Sequence, residues 1–279
     1  MRMLGQYLIA FREAFEAALI VAILLSYLAR SRRQNLSRFI WYGVFLALAA
    51  SIIIGAFIWL AYGALPETSQ LLFEAIAAFI AVAVLSSMIY WMAVKGKTIK
   101  SELERQVETL TSKGATIGLI SLGFVVVFRE GLETVLFLTP FLLSDAISTL
   151  AGMFVGVLTA ILIAYGVFAF GMKINLQKFF YFTSILLILL AGGLAGYGTH
   201  ELLEYYEETG VDIGLLATPA YALNIPSDSP FHHKGIVGSI FAVMFGYTVS
   251  AEWARVIIHV TYLSIALPLV IVVYRKKGE

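Results

Sequence analysis

Two short stretches hold the residues best suited to chemistry. Phe11-Arg12-Glu13-Ala14-Phe15-Glu16 recurs further along as Phe128-Arg129-Glu130-Gly131-Leu132-Glu133, each time inside an apolar run. On an α-helix, positions i and i+3 or i+4 share a face. Glu13 and Glu16 therefore point the same way, Arg12 can reach Glu16, and the same holds for Arg129, Glu130 and Glu133. A charged side chain at the centre of a membrane helix costs roughly 2.5–3.5 kcal/mol, so six facing lipid would cost on the order of 15–20 kcal/mol. They must face a bundle interior or water, and pair with one another. An arginine in each motif satisfies one carboxylate and leaves one uncompensated. Four glutamates supply hard oxygen ligands for a hard cation. Ligand type alone admits iron, manganese, magnesium or calcium, and protons need fewer ligands. Two readings without a site compete with this one. Salt bridges locking the helices together would be weak stabilisers and leave the excess acid unexplained; the carboxyls could also be neutral and merely hydrogen-bonded.

The elements that position these residues are membrane spans. Of 279 residues, 60% are hydrophobic and 13% charged, with a mean hydropathy of +0.89. Soluble domains carry about 25% charge, and this chain lacks the polar surface to cover a soluble core. The net charge of +1 shows no basic excess for a nucleic-acid partner, and the absence of cysteine excludes disulfides and thiolate ligands. Windows of about 20 apolar residues predict seven spans: 3–29, 39–63, 70–94, 114–141, 147–170, 178–199 and 252–274. The first is read as a retained span, because Arg12, Glu13 and Glu16 interrupt it and it is too long for a signal peptide.

Lysine and arginine between the spans set orientation. Arg30, Arg32, Arg33, Arg38, Lys95, Lys97, Lys100, Arg105, Lys113, Lys173, Lys178, Arg275, Lys276 and Lys277 all fall on one side, against Arg2 and Lys234 on the other. The expected arrangement in the cytoplasmic membrane has the N-terminus outside and the C-terminus in the cytoplasm. Each copy of the motif heads three spans. Three is odd, so the second unit is inverted relative to the first, as in many secondary transporters whose substrate site lies at the midplane between repeats.

The expected fold is thus an all-α membrane protein: seven transmembrane helices, as two inverted three-helix repeats plus a seventh helix. Residues 1–94 form the first repeat, 95–113 a cytoplasmic linker with a solvated amphipathic helix, and 114–199 the second, inverted repeat. Residues 200–251 form an external acidic loop, and 252–279 the seventh helix with a short cytoplasmic tail. Within the loop, His200–Glu208 reads as a short acidic helix and 235–249 as an interfacial or re-entrant helix broken near Gly246-Tyr247. The pairs Gly114/Gly118, Gly152/Gly156 and Gly192/Gly196 have the spacing of close helix packing, although the cluster Gly192, Gly193, Gly196 and Gly198 could instead mark a broken helix.

Other residues could line an access path from outside. Glu74 sits early in the third span, and Glu252, Arg255 and His259 share one face of the seventh. His200 and Glu204, with the acids around them, would concentrate cations at the mouth by electrostatic focusing. A local Glu252–Arg255 pair and a solvated acidic helix are the plainer readings. An enzymatic di-iron site is disfavoured, since helical bundles of that kind use Glu-x-x-His motifs and both motifs here end in glutamate.

Arg-Glu-x-x-Glu twice, in the first and fourth of seven spans, resembles the oxidase-linked iron permease family, which comprises the fungal Ftr-type and bacterial Efe-type high-affinity permeases. The likeness extends over most of the chain, including Gly246-Tyr247 before the last span. It implies an iron permease rather than an enzyme, with iron as transported ion and no cofactor. Glu13, Glu16, Glu130 and Glu133 would coordinate the metal, and Arg12 and Arg129 would orient the carboxylates. An external oxidase, peroxidase or iron-binding protein is the implied partner besides the bilayer. The fungal external Asp-Ala-Ser-Glu motif is missing, and only five residues follow Tyr274, so the expectation is a prokaryotic-type member without a long regulatory tail. Some relatives handle other metals, so lead or manganese, or a proton-coupled substrate, is the alternative cargo.

Overall fold

The computed structural model describes residues 3–95, 98–112, 114–169, 176–233 and 235–278. Arg2, Lys97, Lys113, Lys173 and Lys234, which contribute to the orientation reading, lie outside the described residues. Long helices dominate: α1 (Leu4–Arg30), α2 (Ser37–Gly63), α3 (Glu67–Lys95), α5 (Thr116–Ser144), α6 (Ala146–Ala169), α7 (Leu176–Glu208) and α9 (Trp253–Gly278), with the shorter α4 (Ile99–Ser112) and α8 (Ile236–Phe245) between them. By length and composition, α2, α3, α6, α7 and α9 are each fit to cross a bilayer. α1 and α5 are equally long, at 27 and 29 residues, but each carries a charged motif near its middle. The protein is an all-α membrane protein with one small addition, an antiparallel ribbon of β1 (Pro219–Ala222) and β2 (Ser250–Glu252) that ties the loop after α7 to the start of α9.

Helices pack in three principal pairs: α2 on α5, α1 on α6 and α3 on α7. Small residues make the first two pairs close. A Cβ on Gly43 of α2 would strike the backbone of Ile120 and Phe124 in α5. One on Gly156 of α6 would lie 2.6 Å from the Tyr7 carbonyl oxygen and 2.9 Å from the Phe11 nitrogen of α1. α9 covers α7 and α3. The main core is shared by α1, α3, α5, α7 and α9, through Ile9, Met88, Met92, Phe137, Leu187 and Val270 among others.

Several local expectations are corrected. His200–Glu208 is no separate outer helix; it continues α7, which runs unbroken through its glycines to Glu208. Of the two readings of those glycines, close packing is the one the structure bears out: side chains of α9 fill the space against Gly192 and Gly196, and Gly198 meets Ala75 and Ala78 of α3. Gly114 does not pack at all, having φ +65 in the turn before α5 and open space for 4 Å around the point where a Cβ would sit. The linker helix α4 is not simply solvated. Leu103 and Val107 are buried in a core with α1, α2 and α5, and Arg30 bridges to Glu104 at 2.5 Å.

α8 has ten residues, or about 15 Å at 1.5 Å per residue. That is half the hydrocarbon thickness of a bilayer, roughly 30 Å, so α8 cannot cross it. It rests mainly on α7 and ends at Gly246, whose φ of +62 is a left-handed C-cap that suits glycine.

Candidate functional site

The two motifs face one another across the α1–α5 contact. Glu13 of α1 and Glu130 and Glu133 of α5 each offer a carboxylate oxygen, and these oxygens lie within 4.8 Å of one another. Glu13 and Glu130 are buried, and Glu133 nearly so. One oxygen of each, Oε2 in all three, has no hydrogen-bond partner among the described residues. Buried polar atoms are normally satisfied. Three carboxylates converging from two helices, each with an unsatisfied oxygen, form an arrangement that a hard cation would complete.

Arg12 compensates this charge more widely than the spacing indicated. Its Nη1 lies 2.5 Å from Glu13 Oε1, and its Nη2 lies 2.6 Å from Glu16 Oε1, an ion pair whose angle falls short of a hydrogen bond. One guanidinium therefore takes both acids of its motif. Glu16 is held at the edge, outside the three-carboxylate group. In the other motif Arg129 donates from Nε to Glu133 at 2.9 Å, and its guanidinium lies 4.4 Å from the centroid of the Trp91 ring. Arg129 and Glu133 open onto a groove of about 390 Å³ with Val84, Phe128 and Leu136 in its walls. Gly131 lies between Glu130 and Glu133 in sequence where α2 crosses, and a Cβ there would collide with the Ser51 side chain.

The residues expected along an outer path do not form one line. Glu74 is buried and accepts hydrogen bonds from the hydroxyls of Tyr62, at 2.5 Å, and Tyr197. His200 stands between Glu252, with Nδ1 3.1 Å from Oε1, and Glu204, with Nε2 3.4 Å from Oε1. Arg255 and His259 instead line a separate cavity of about 590 Å³, roofed by Phe241, Phe245 and Tyr247. The local Glu252–Arg255 salt bridge is absent among the described residues; Glu252 meets His200 through Oε1 instead, and its Oε2 has no partner among them.

Sequence reading missed the residues of α3 and α7 that contact these charges: Met88, Met92, Trp91 and Tyr197. Met88 and Met92 both touch the Arg12 guanidinium. Their i, i+4 spacing was visible, but nothing in it distinguishes them from ordinary core methionines.

Known proteins share this chain's length and sequence closely. The family described as "Iron permease FTR1 family" matches residues 3–273. An uncharacterised protein of Archaeoglobus fulgidus is 44% identical over 270 residues, covering 97% of this chain and 95% of its own. The proteins named "Ferrous iron permease EfeU" from Yersinia pestis and from Escherichia coli O6:H1 are 34% and 32% identical, each over 94% of this chain and over 91% and 92% of their own lengths. No solved structure gives a significant match.

Proposed function

The chain belongs to the iron permease FTR1 family, and from that premise we propose that it imports iron across the cytoplasmic membrane through a midplane site built from its two Arg-Glu-x-x-Glu motifs. Membership makes it a transporter, not an enzyme. Glu13, Glu130 and Glu133 are the proposed ligands, Glu16 an auxiliary carboxylate, and Arg12 and Arg129 the resident counter-charges. The observation that carries this assignment is the meeting of carboxylates from α1 and α5 within 4.8 Å, each with an unsatisfied oxygen.

Helix packing supports the proposed architecture of seven spans in two inverted units, 1–94 and 114–199, joined by the linker 95–113. Exchanging α1 with α5, α2 with α6 and α3 with α7 turns the α1–α6 pair into α5–α2 and leaves α3–α7 unchanged. Those are the three principal pairs. A site between two such units can open to either side by rocking one against the other. The lysine and arginine bias directs the C-terminus to the cytoplasm. Glu74, His200, Glu204 and Glu252 would then stand at the outer end as an approach for cations, while Arg255 and His259 lie aside from it.

The names of the relatives make ferrous ion the form to test first. Any oxidation of iron before import is assigned to an external oxidase or peroxidase, and delivery without a change of oxidation state to an external iron-binding protein. Radioactive iron uptake into proteoliposomes tests the site. Glu13→Gln and Glu130→Gln are expected to lower uptake by on the order of 100-fold with the protein still inserted, and normal uptake by both would refute it. Competition by manganese and lead in the same assay measures selectivity.

A further inference from the structure

Arg12 is held from two sides. Each terminal nitrogen lies between a carboxylate of α1 and a thioether of α3: Nη1 between Glu13 and Met88 Sδ at 3.3 Å, and Nη2 between Glu16 and Met92 Sδ, which is closer still. Met88 and Met92 are buried and one helical turn apart. The same turn supplies Trp91, whose ring lies against Arg129. One turn of α3 therefore contacts the arginines of both motifs and offers neither of them a side-chain oxygen.

That choice of partner has consequences. A thioether sulfur is only a weak acceptor, yet it is polarisable and mobile. An oxygen at either position would hold the guanidinium strongly and permanently. A purely aliphatic residue would leave it no polar contact except the carboxylates. On the reading that a cation binds at Glu13, Glu130 and Glu133, using the unpaired Oε2 of Glu13, that cation and the Arg12 guanidinium on Oε1 share the charge of one carboxylate and repel each other. The guanidinium then needs somewhere to go that does not hold it too tightly.

We propose that Met88 and Met92, which already touch Arg12, are positioning residues that form the seat holding it when the metal takes up the charge of Glu13, and that they thereby set the affinity of the site for its cation. This inference rests on the site assigned above and adds two residues that the motifs do not contain.

The test measures KM and maximal rate of ferrous uptake in proteoliposomes, normalised to inserted protein, for two exchanges with opposite expected signs. Met88→Leu/Met92→Leu conserves volume and removes the seat, so Arg12 stays on the carboxylates. KM is expected to rise about tenfold, the lower range for groups that orient metal ligands, with the maximal rate kept. Met88→Gln/Met92→Gln supplies amide oxygens that draw Arg12 off Glu13, so KM is expected to fall. A merely structural role would move both variants the same way. Shifts in one direction for both, or none beyond twofold in either, overturn the proposal. Where a double variant does not insert, the single exchanges at Met92 carry the same opposite signs and decide between the same two outcomes. Glu13→Gln measured alongside separates the two levels. If it sharply lowers uptake while the methionine variants fail to diverge, only the seat is wrong; if it transports normally, the metal site itself is wrong.

Discussion

Arg12 and Arg129 head the same five-residue pattern, yet Arg12 is 2% exposed and Arg129 is 40% exposed. The surroundings make the difference. Near Arg12 the core shared by α1, α3, α7 and α9 closes, with Ile9, Met88, Met92, Val270 and Tyr274 packed together. Beside Arg129 the groove between α3 and α5 stays open, and the guanidinium lies over the Trp91 ring. α9 lies against α7 and α3, and among the described residues no equivalent helix screens the second motif. Two copies of one motif thus do different work. The first is a closed clamp in which one guanidinium holds two acids. The second places two of the three converging carboxylates and keeps its arginine half free.

The largest expected effect is on transport and separates acids inside the cluster from the one outside it. Glu130→Gln should lower iron uptake by on the order of 100-fold, equivalent to about 2.7 kcal/mol, whereas Glu16→Gln should lower it by only about tenfold. Equal losses would mean that Glu16 belongs to the cluster after all. Stability should separate the arginines next. Arg12→Ala leaves Glu13 and Glu16 buried without a counter-charge, which destabilises by about 3–5 kcal/mol. Arg129→Ala removes a half-exposed partner from one nearly buried acid, a charge-assisted hydrogen bond worth about 1.5–3 kcal/mol. Thermal unfolding in detergent reads both, and similar shifts would erase the contrast.

Gly131→Ala adds a methyl that meets Ser51, an overpacking expected to cost about 1–3 kcal/mol. Ala14, at the equivalent place in the first motif, already carries one. Ser51→Gly in the Gly131→Ala background should restore the unfolding midpoint, and failure to do so would remove steric contact with α2 as the reason. The smallest effect concerns the outer end. Tyr62→Phe deprives Glu74 of one of its two phenolic donors and should raise the KM for iron about twofold to fivefold, under about 1 kcal/mol. No change would take Glu74 off the approach path.

Most of the helical plan was legible in advance because hydropathy and helical periodicity are local properties. The apolar windows fall on α1, α2, α3, α5, α6, α7 and α9, and α8 ends where Gly246 suggested. Boundaries at polar ends were harder to read. His200–Glu208 looked like a separate helix because its composition changes from apolar to acidic, yet the backbone of α7 continues through the change with nothing to stop it. The glycines of α7 left packing and a broken helix both open, because the side chains of α9 that fill the space beside them are remote in the chain.

The sequence by itself determined that six charges sit in two copies of one helical pattern, within a chain too apolar to be anything but membrane-embedded. Spacing along one helix decides which face a residue shares. Only the tertiary structure decided that Glu13, Glu130 and Glu133 converge with Glu16 outside that group, that Arg12 takes two acids, and that Met88 and Met92 receive its other side. Those facts depend on where helices far apart in sequence cross, and packing between helices, not periodicity within one, sets that.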